Sequence, residues 1–149
     1  MKIMRKEELF LGAWIYIYSY DNPEKNIPVQ VKGVFENDNG VVYVEFVLNG
    51  ERGSRPLLNC RPIPITNEIL EKNGWDTSSG YITHRLDYDD RQWIEYYPFE
   101  RRLTKYSTVP DEWNNHSKQR EIIFKMHCTY VHEFQKGLEI CGSCLEIKM

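Results

Sequence analysis

The stretch "RPIPITNEILEKNGW", residues 61–75, carries the punctuation that decides the fold. Pro62 and Pro64 lack amide donors and share one parity, so their strand can pair only along its other edge, or not at all. Thr66 is placed to accept from the first free amides of a helix. Glu68 stands near the positive end of that helix and four residues before Lys72, a favourable pair. Gly74 suits the left-handed residue after a helix, with Trp75 folding back onto Leu70 in a Schellman ending. Every position has a structural role, and the stretch reads as a joint. It predicts a β-rich lobe over 1–65, a linking helix at about 66–73 and an α+β lobe over 66–149, packed together as one compact unit.

Upstream of the joint the pattern is strand after strand. In "AWIYIYSY", Trp14, Tyr16, Tyr18 and Tyr20 alternate with Ile15 and Ile17, which predicts a strand covered on both sides. Val29 and Val31 alternate with Gln30 and Lys32, and Gly33 is a candidate bulge. "NDNG" (37–40) and "NGERG" (49–53) supply residues that tolerate positive φ, so each turns a hairpin around "VVYVEFVL". Short strands joined by tight turns predict an SH3-like curled antiparallel sheet.

Downstream, "GYITHRLDY", "RQWIEYYPF", "RRLTKYSTV" and "REIIFKMHC" continue as strands. "DYDDR" (87–91) reads as a turn and 110–119 as the long polar loop. Val131, Phe134, Leu138 and Cys141 fall at helical spacing, with Thr129 as the expected cap and Gly142 as the end. Gly137 weakens that helix by about 1 kcal/mol relative to alanine, and "CLEIKM" is expected to add a terminal strand. The fold class is therefore α+β, a second antiparallel sheet with one packed C-terminal helix.

Composition narrows the function classes. Of 19 basic and 22 acidic residues, eight of each precede Thr66, so neither half is basic overall. A net charge of −3 provides no global field that would steer nucleic acid inward. The amino terminus starts positive, but Glu7 and Glu8 interrupt it, and no apolar run approaches the length of a membrane span. The expectation is a cytoplasmic protein with four reduced cysteines, no membrane association and no cofactor.

Three constellations bear on chemistry. "CGSC", Cys141–Cys144, closes a helix where a thioredoxin-like pair would open one, and a helix C-terminus raises a thiol pKa. Zinc is the better use for Cys141 and Cys144, with His127, Cys128 and His132 nearby, although one cysteine pair falls short of two paired knuckles. "RQWIEYYPFERRLTKY" (91–106) mixes aromatics with cations as single-strand binders do; Trp93, Tyr97, Phe99, Arg101, Arg102 and Lys105 would be its working parts. No nucleophile elbow, phosphate loop or HExxH helix accompanies these, so no enzyme is predicted.

The segments "EELFLGAWI", "PIPITNEILEKNGW" and "YVHEFQKGLEICGSCLEI" together resemble a family of small uncharacterised proteins encoded in genomes, prophages and mobile elements of gut anaerobic bacteria, of Bacteroidetes type. Cys141 and Cys144 stand where that family commonly carries threonine and glutamate. The resemblance implies a bacterial, cytoplasmic setting and an accessory role in phage or mobile-element biology, and it carries over no functional residue. The function expected is non-catalytic binding of a protein partner. The alternatives are nucleic-acid binding through 91–106 and zinc binding through Cys141 and Cys144.

Overall fold

The computed structural model describes residues 2–18, 21, 22, 24–79, 84–87, 91–110, 118–143 and 145–149. Tyr20, most of "DYDDR", residues 111–117 and Cys144 lie outside them. The fold is α+β, mostly antiparallel. Contacts divide the chain into two units: Met1–Pro64 with Tyr130–Glu133, and Ile65–Thr129 with Phe134–Met149. The joint therefore falls at 64/65, and a short downstream segment returns to the first unit. There Pro64 bridges Tyr130, and the Val131 amide donates to the Ile63 carbonyl at 2.8 Å.

The first unit holds six strands: β1 (Trp14–Tyr18), β2 (Asn26–Gln30), β3 (Gly33–Glu36), β4 (Val42–Leu48), β5 (Glu51–Pro56) and β6 (Cys60–Pro62). They form two three-stranded sheets in the orders β2-β1-β6 and β3-β4-β5. β6 lies at a sheet edge, where its missing proline donor is tolerated. Ile15 and Ile17 are fully buried while Trp14, Tyr16 and Tyr18 are half-buried, so β1 is completely covered on one face only.

Gly33 is not a bulge. The chain changes sheets just before it: the Val31 amide bonds Ala13 at 2.9 Å, and the next amide, of Lys32, bonds Glu45 at 2.8 Å. Both hairpins form as their turns dictate. Asn37 Oδ1 accepts from the amides of Asn39 and Val41. Asn49 and Gly50, with φ of 53° and 81°, make the two-residue turn whose twist matches its strands. Met4, Ala13, Val29, Val31, Val44, Phe46 and Cys60 complete the core around Ile15 and Ile17.

In the second unit α1 (Asn67–Lys72) is capped by Thr66, whose side chain accepts from the Ile69 amide at 3.3 Å. The amides of Gly74 and Trp75 bond the carbonyls of Glu71 and Leu70, and Gly74 has φ 84°, so the Schellman ending is complete. Four strands follow, β7 (His84–Asp87), β8 (Gln92–Tyr97), β9 (Arg102–Pro110) and β10 (Lys118–His127), in the sheet order β10-β9-β8-β7. Pro110, Lys118 and Gln119, expected in a loop, belong to the long β9 and β10 strands.

α2 (Val131–Ile140) starts after Tyr130 rather than at a Thr129 cap, because Glu133 Oε1 reaches back to the Tyr130 amide at 3.1 Å. From Phe134 onward the helix covers the sheet. Phe134 meets the Tyr96 ring edge-on at 5.6 Å and the Trp75 ring at 5.2 Å. Gly142, φ 79°, ends α2 with a second Schellman pair, Gly142 to Glu139 and Ser143 to Leu138. Lys105 Nζ also donates to the Cys141 carbonyl at 2.7 Å, a cation at the negative helix end.

The expected terminal strand is absent: residues 145–149 are irregular. Buried Asn73 holds them instead, its Oδ1 accepting from the Lys148 amide at 2.7 Å while Nδ2 donates to the carbonyls of Lys148 and Ile69.

Candidate functional site

The residues singled out in 91–106 occupy three places, not one. Trp93, Tyr97 and Arg102 share a face of the β7–β10 sheet, as their register requires. Phe99, 77% exposed, and Arg101, held at φ 51°, sit at the tip of the β8–β9 hairpin. Lys105 lies on the opposite face, where it binds the end of α2.

On the first face, side chains stack one per strand across the whole sheet. The Arg85 guanidinium lies 4.7 Å from the Trp93 ring centre. Trp93 stacks on Tyr106 at 5.5 Å, and Arg120 lies 4.8 Å from the Tyr106 ring on its far side in strand order. Arg102 covers Tyr97 at 4.4 Å. Each of these arginines also meets an acid: Asp87, Glu95 and Glu100. Ring faces that a nucleobase would use are thus covered by the chain's own guanidinium groups.

Tyr97 donates to Glu95 Oε2 at 2.6 Å and shares a 2.7 Å bond with the Tyr106 hydroxyl. Burial, then these hydrogen bonds and the Glu95 charge, pushes its phenol well above the ordinary tyrosine value. Tyr97 is therefore protonated at neutral pH and supplies no base.

The thiols give no reactive centre among the described residues. Cys60, Cys128 and Cys141 are buried. Burial raises Cys60 to about 11 and also lifts Cys141, against the smaller opposing effect of Lys105, which leaves both as inert thiols at neutral pH. His127 is exposed while Cys128 is fully buried, as opposite sides of a strand demand. No group of three or more His, Cys, Asp or Glu side chains among the described residues could hold a metal ion.

The β3-β4-β5 sheet offers a different surface. Alternation sends Val44 and Phe46 into the core and turns Tyr43, Glu45 and Val47 outward. Register then sets Phe35 and Pro56 beside Tyr43, Gly33 and Ser54 beside Glu45, and Arg52 beside Val47. The middle row is small at both ends. A concavity of ≈ 590 Å³ opens there, lined by Lys32, Glu45, Phe46, Val47, Arg52, Gly53 and Ser54. On the same outward face lies the Phe35–Tyr43 pair, stacked at 5.1 Å and only 6° from parallel. Phe35 is 41% and Val47 45% exposed.

Sequence reading passed over this pair although its signal was present. The NDNG turn fixes the hairpin register, and that register places Phe35 opposite Tyr43 on the face away from Val44.

His132 is the remaining titratable group of note. It is buried, and neither ring nitrogen has a hydrogen-bond partner among the described residues. Its ring stacks on Tyr130 at 6.1 Å. Desolvation depresses its pKa, against the opposing charges of Glu133 and Glu8, with Lys2 adding to the depression. A depressed imidazole stays neutral in the fold while the unfolded ring protonates near 6.5. Stability is thus full above that value and falls as pH drops toward the folded pKa. The urea midpoint is expected to fall between pH 7.5 and 5.5, and much less in His132→Phe. Equal slopes in both proteins would show that His132 does not carry the effect.

No family model, curated protein or solved structure matches the chain. No helix among the described residues is long and apolar enough to cross a membrane.

Proposed function

We propose that this chain is a non-catalytic binding protein whose partner is another protein. Its recognition surface is the groove across β3-β4-β5 on an SH3-like first lobe. One observation carries this reading: on the outward face of one three-stranded sheet, Phe35, stacked on Tyr43, and Val47 are exposed on the face that carries the groove. Single exposed apolar residues are ordinary, but a contiguous patch with a polar rim marks an interaction site. Here Lys32 and Arg52 border the groove and Glu45 sits within it, between Tyr43 and Val47. The resemblance to mobile-element proteins supports a bacterial cytoplasmic setting and an accessory role. The groove takes precedence over 91–106 because Phe35 on its sheet face is exposed, whereas the rings of the other face are covered by arginines.

The test uses the immobilised full chain in a bacterial lysate. Phe35→Ser and Val47→Asp are expected to abolish retention of the proteins held by the wild type. Both positions are outward-facing, so both variants are expected to unfold cooperatively, Phe35→Ser with the larger loss because it gives up the stack on Tyr43. Undiminished retention in both variants would remove the groove from consideration. The nucleic-acid alternative is checked with the same protein and a single-stranded oligonucleotide at two salt concentrations. Phosphate-driven binding must weaken steeply with salt, and no binding at low salt is expected.

A further inference from the structure

Asparagine precedes glycine three times in the chain, at Asn39–Gly40, Asn49–Gly50 and Asn73–Gly74. In such a pair the amide nitrogen of the second residue can close a five-membered ring on the side-chain carbonyl carbon of the first. Glycine puts no Cβ in the way of that closure. As dipeptides the three sites are equal. The fold makes them unequal.

Ring closure needs a nitrogen free to give up its proton and a side chain free to swing onto it. Asn73 meets neither requirement. It is buried, its side chain is held by Ile69 and Lys148, and the Gly74 amide donates to the Glu71 carbonyl at 3.1 Å. The Asn39 side chain is exposed, but the Gly40 amide donates to the Asn37 carbonyl at 3.0 Å. A proton engaged in that way must first be withdrawn from its acceptor.

Asn49 meets both requirements. Asn49 and Gly50 are exposed, and neither the Asn49 side chain nor the Gly50 amide has a hydrogen-bond partner among the described residues. With φ of 53°, Asn49 is restrained by the turn but not buried by it. Rotation out of the turn takes only local opening at a hairpin tip, where structure is lost at least cost.

We infer that Asn49 is a site of spontaneous self-modification. Solvent base takes the Gly50 amide proton, and the nitrogen bonds to Asn49 Cγ. The Cγ–Nδ2 bond breaks, ammonia leaves and a cyclic imide remains. Water then opens the ring. Breaking the new bond at Cγ gives aspartate. Breaking the original peptide bond gives isoaspartate, with the main chain now routed through the side chain. The isoaspartyl form lengthens the two-residue turn by one methylene and adds a negative charge beside Glu51. That turn sets the register of Leu48 with Glu51 and of Val47 with Arg52. The isoaspartyl form therefore loosens the β4–β5 pairing from its tip inward. The inference is independent of what the groove binds.

The purified full chain, aged at mildly alkaline pH, tests it. Peptide mapping by mass spectrometry follows the mass gain of an amide becoming an acid, and chromatography separates aspartyl from isoaspartyl peptides. Asn49 is expected to react first, with isoaspartate the larger product. Asn39 should be at least about fivefold slower and Asn73 on the order of a hundredfold slower, because each waits on a larger opening. In concentrated urea the three sites should react within about threefold of one another, since the fold no longer separates them. The isolated isoaspartyl protein should exchange its β5 amides faster than the unmodified chain. Freshly prepared Asn49→Asp should not, because it carries the charge without the methylene.

Equal rates in the folded chain, or either of the other sites reacting first, overturn the assignment. The same order of rates in urea does so as well, because the dipeptides' neighbours and not the fold would then decide. Unchanged β5 exchange in the isoaspartyl protein, or faster exchange that Asn49→Asp reproduces, overturns the effect on the hairpin.

Discussion

Asn73→Ala is expected to destabilise the second unit by about 2–4 kcal/mol, although it deletes only an amide. The side chain is buried and makes three hydrogen bonds, two donated by Nδ2 and one accepted by Oδ1. Two of these join Lys148, 75 residues away in sequence. Alanine leaves the Lys148 amide and carbonyl and the Ile69 carbonyl without these partners. A buried polar group left unpaired costs about 1–3 kcal/mol. At two to four degrees per kcal/mol for a domain of this size, the melting temperature should fall by roughly 10 °C. Asn73→Asp should not rescue it, because the carboxylate keeps the acceptor for the Lys148 amide but faces two carbonyl oxygens where donors are needed.

A double-mutant cycle isolates the cause. In a chain ending at Glu146 the Lys148 partners are gone, so Asn73→Ala should cost much less there than in the full chain. Additive losses would mean that Asn73 does not act through the terminal segment.

Local chemistry was legible in the residues; distant pairing was not. Thr66, Gly74 and Trp75 end α1 as their types require, because caps and left-handed glycines are decided within a few residues. The same locality governs the Asn37 and Asn49–Gly50 turns and the Gly142 ending. Asn73 reads locally as a polar helix-end residue, and nothing nearby announces Lys148. The return of Tyr130–Glu133 to the first unit rests on partners at Ile63 and Pro64, equally remote in sequence. For the candidate sites, composition found the aromatic and basic residues of 91–106, but parity sent Lys105 to one face and Trp93 to the other. The groove followed from turn and register together, and neither one alone shows it.

Gly137→Val is expected to lower stability by about 2–3 kcal/mol, against the direction that helix propensity gives. As a mid-helix glycine it reads as a weak point, yet α2 continues past it to Ile140. Its position explains its presence. A Cβ there would lie 2.7 Å from Leu103 Cδ2 and 2.8 Å from Met126 Sδ, closer than carbon and its neighbours approach without a shift. Glycine is what lets the helix backbone settle onto β9 and β10. Met126 is half-buried and its thioether is adaptable, so it can give way. Leu103 is fully buried and has less freedom.

Gly137→Ala therefore gains about 1 kcal/mol of propensity and loses a comparable amount to displaced side chains, ending near neutral. Valine adds two methyl groups that cannot both be accommodated, and its smaller propensity gain does not offset them. Met126→Ala should recover part of the valine loss by clearing one of the two obstructing side chains. Urea midpoints of the three variants decide the matter. If alanine and valine both exceed glycine, in the order of their helix propensities, close approach of helix and sheet is not what fixed this residue.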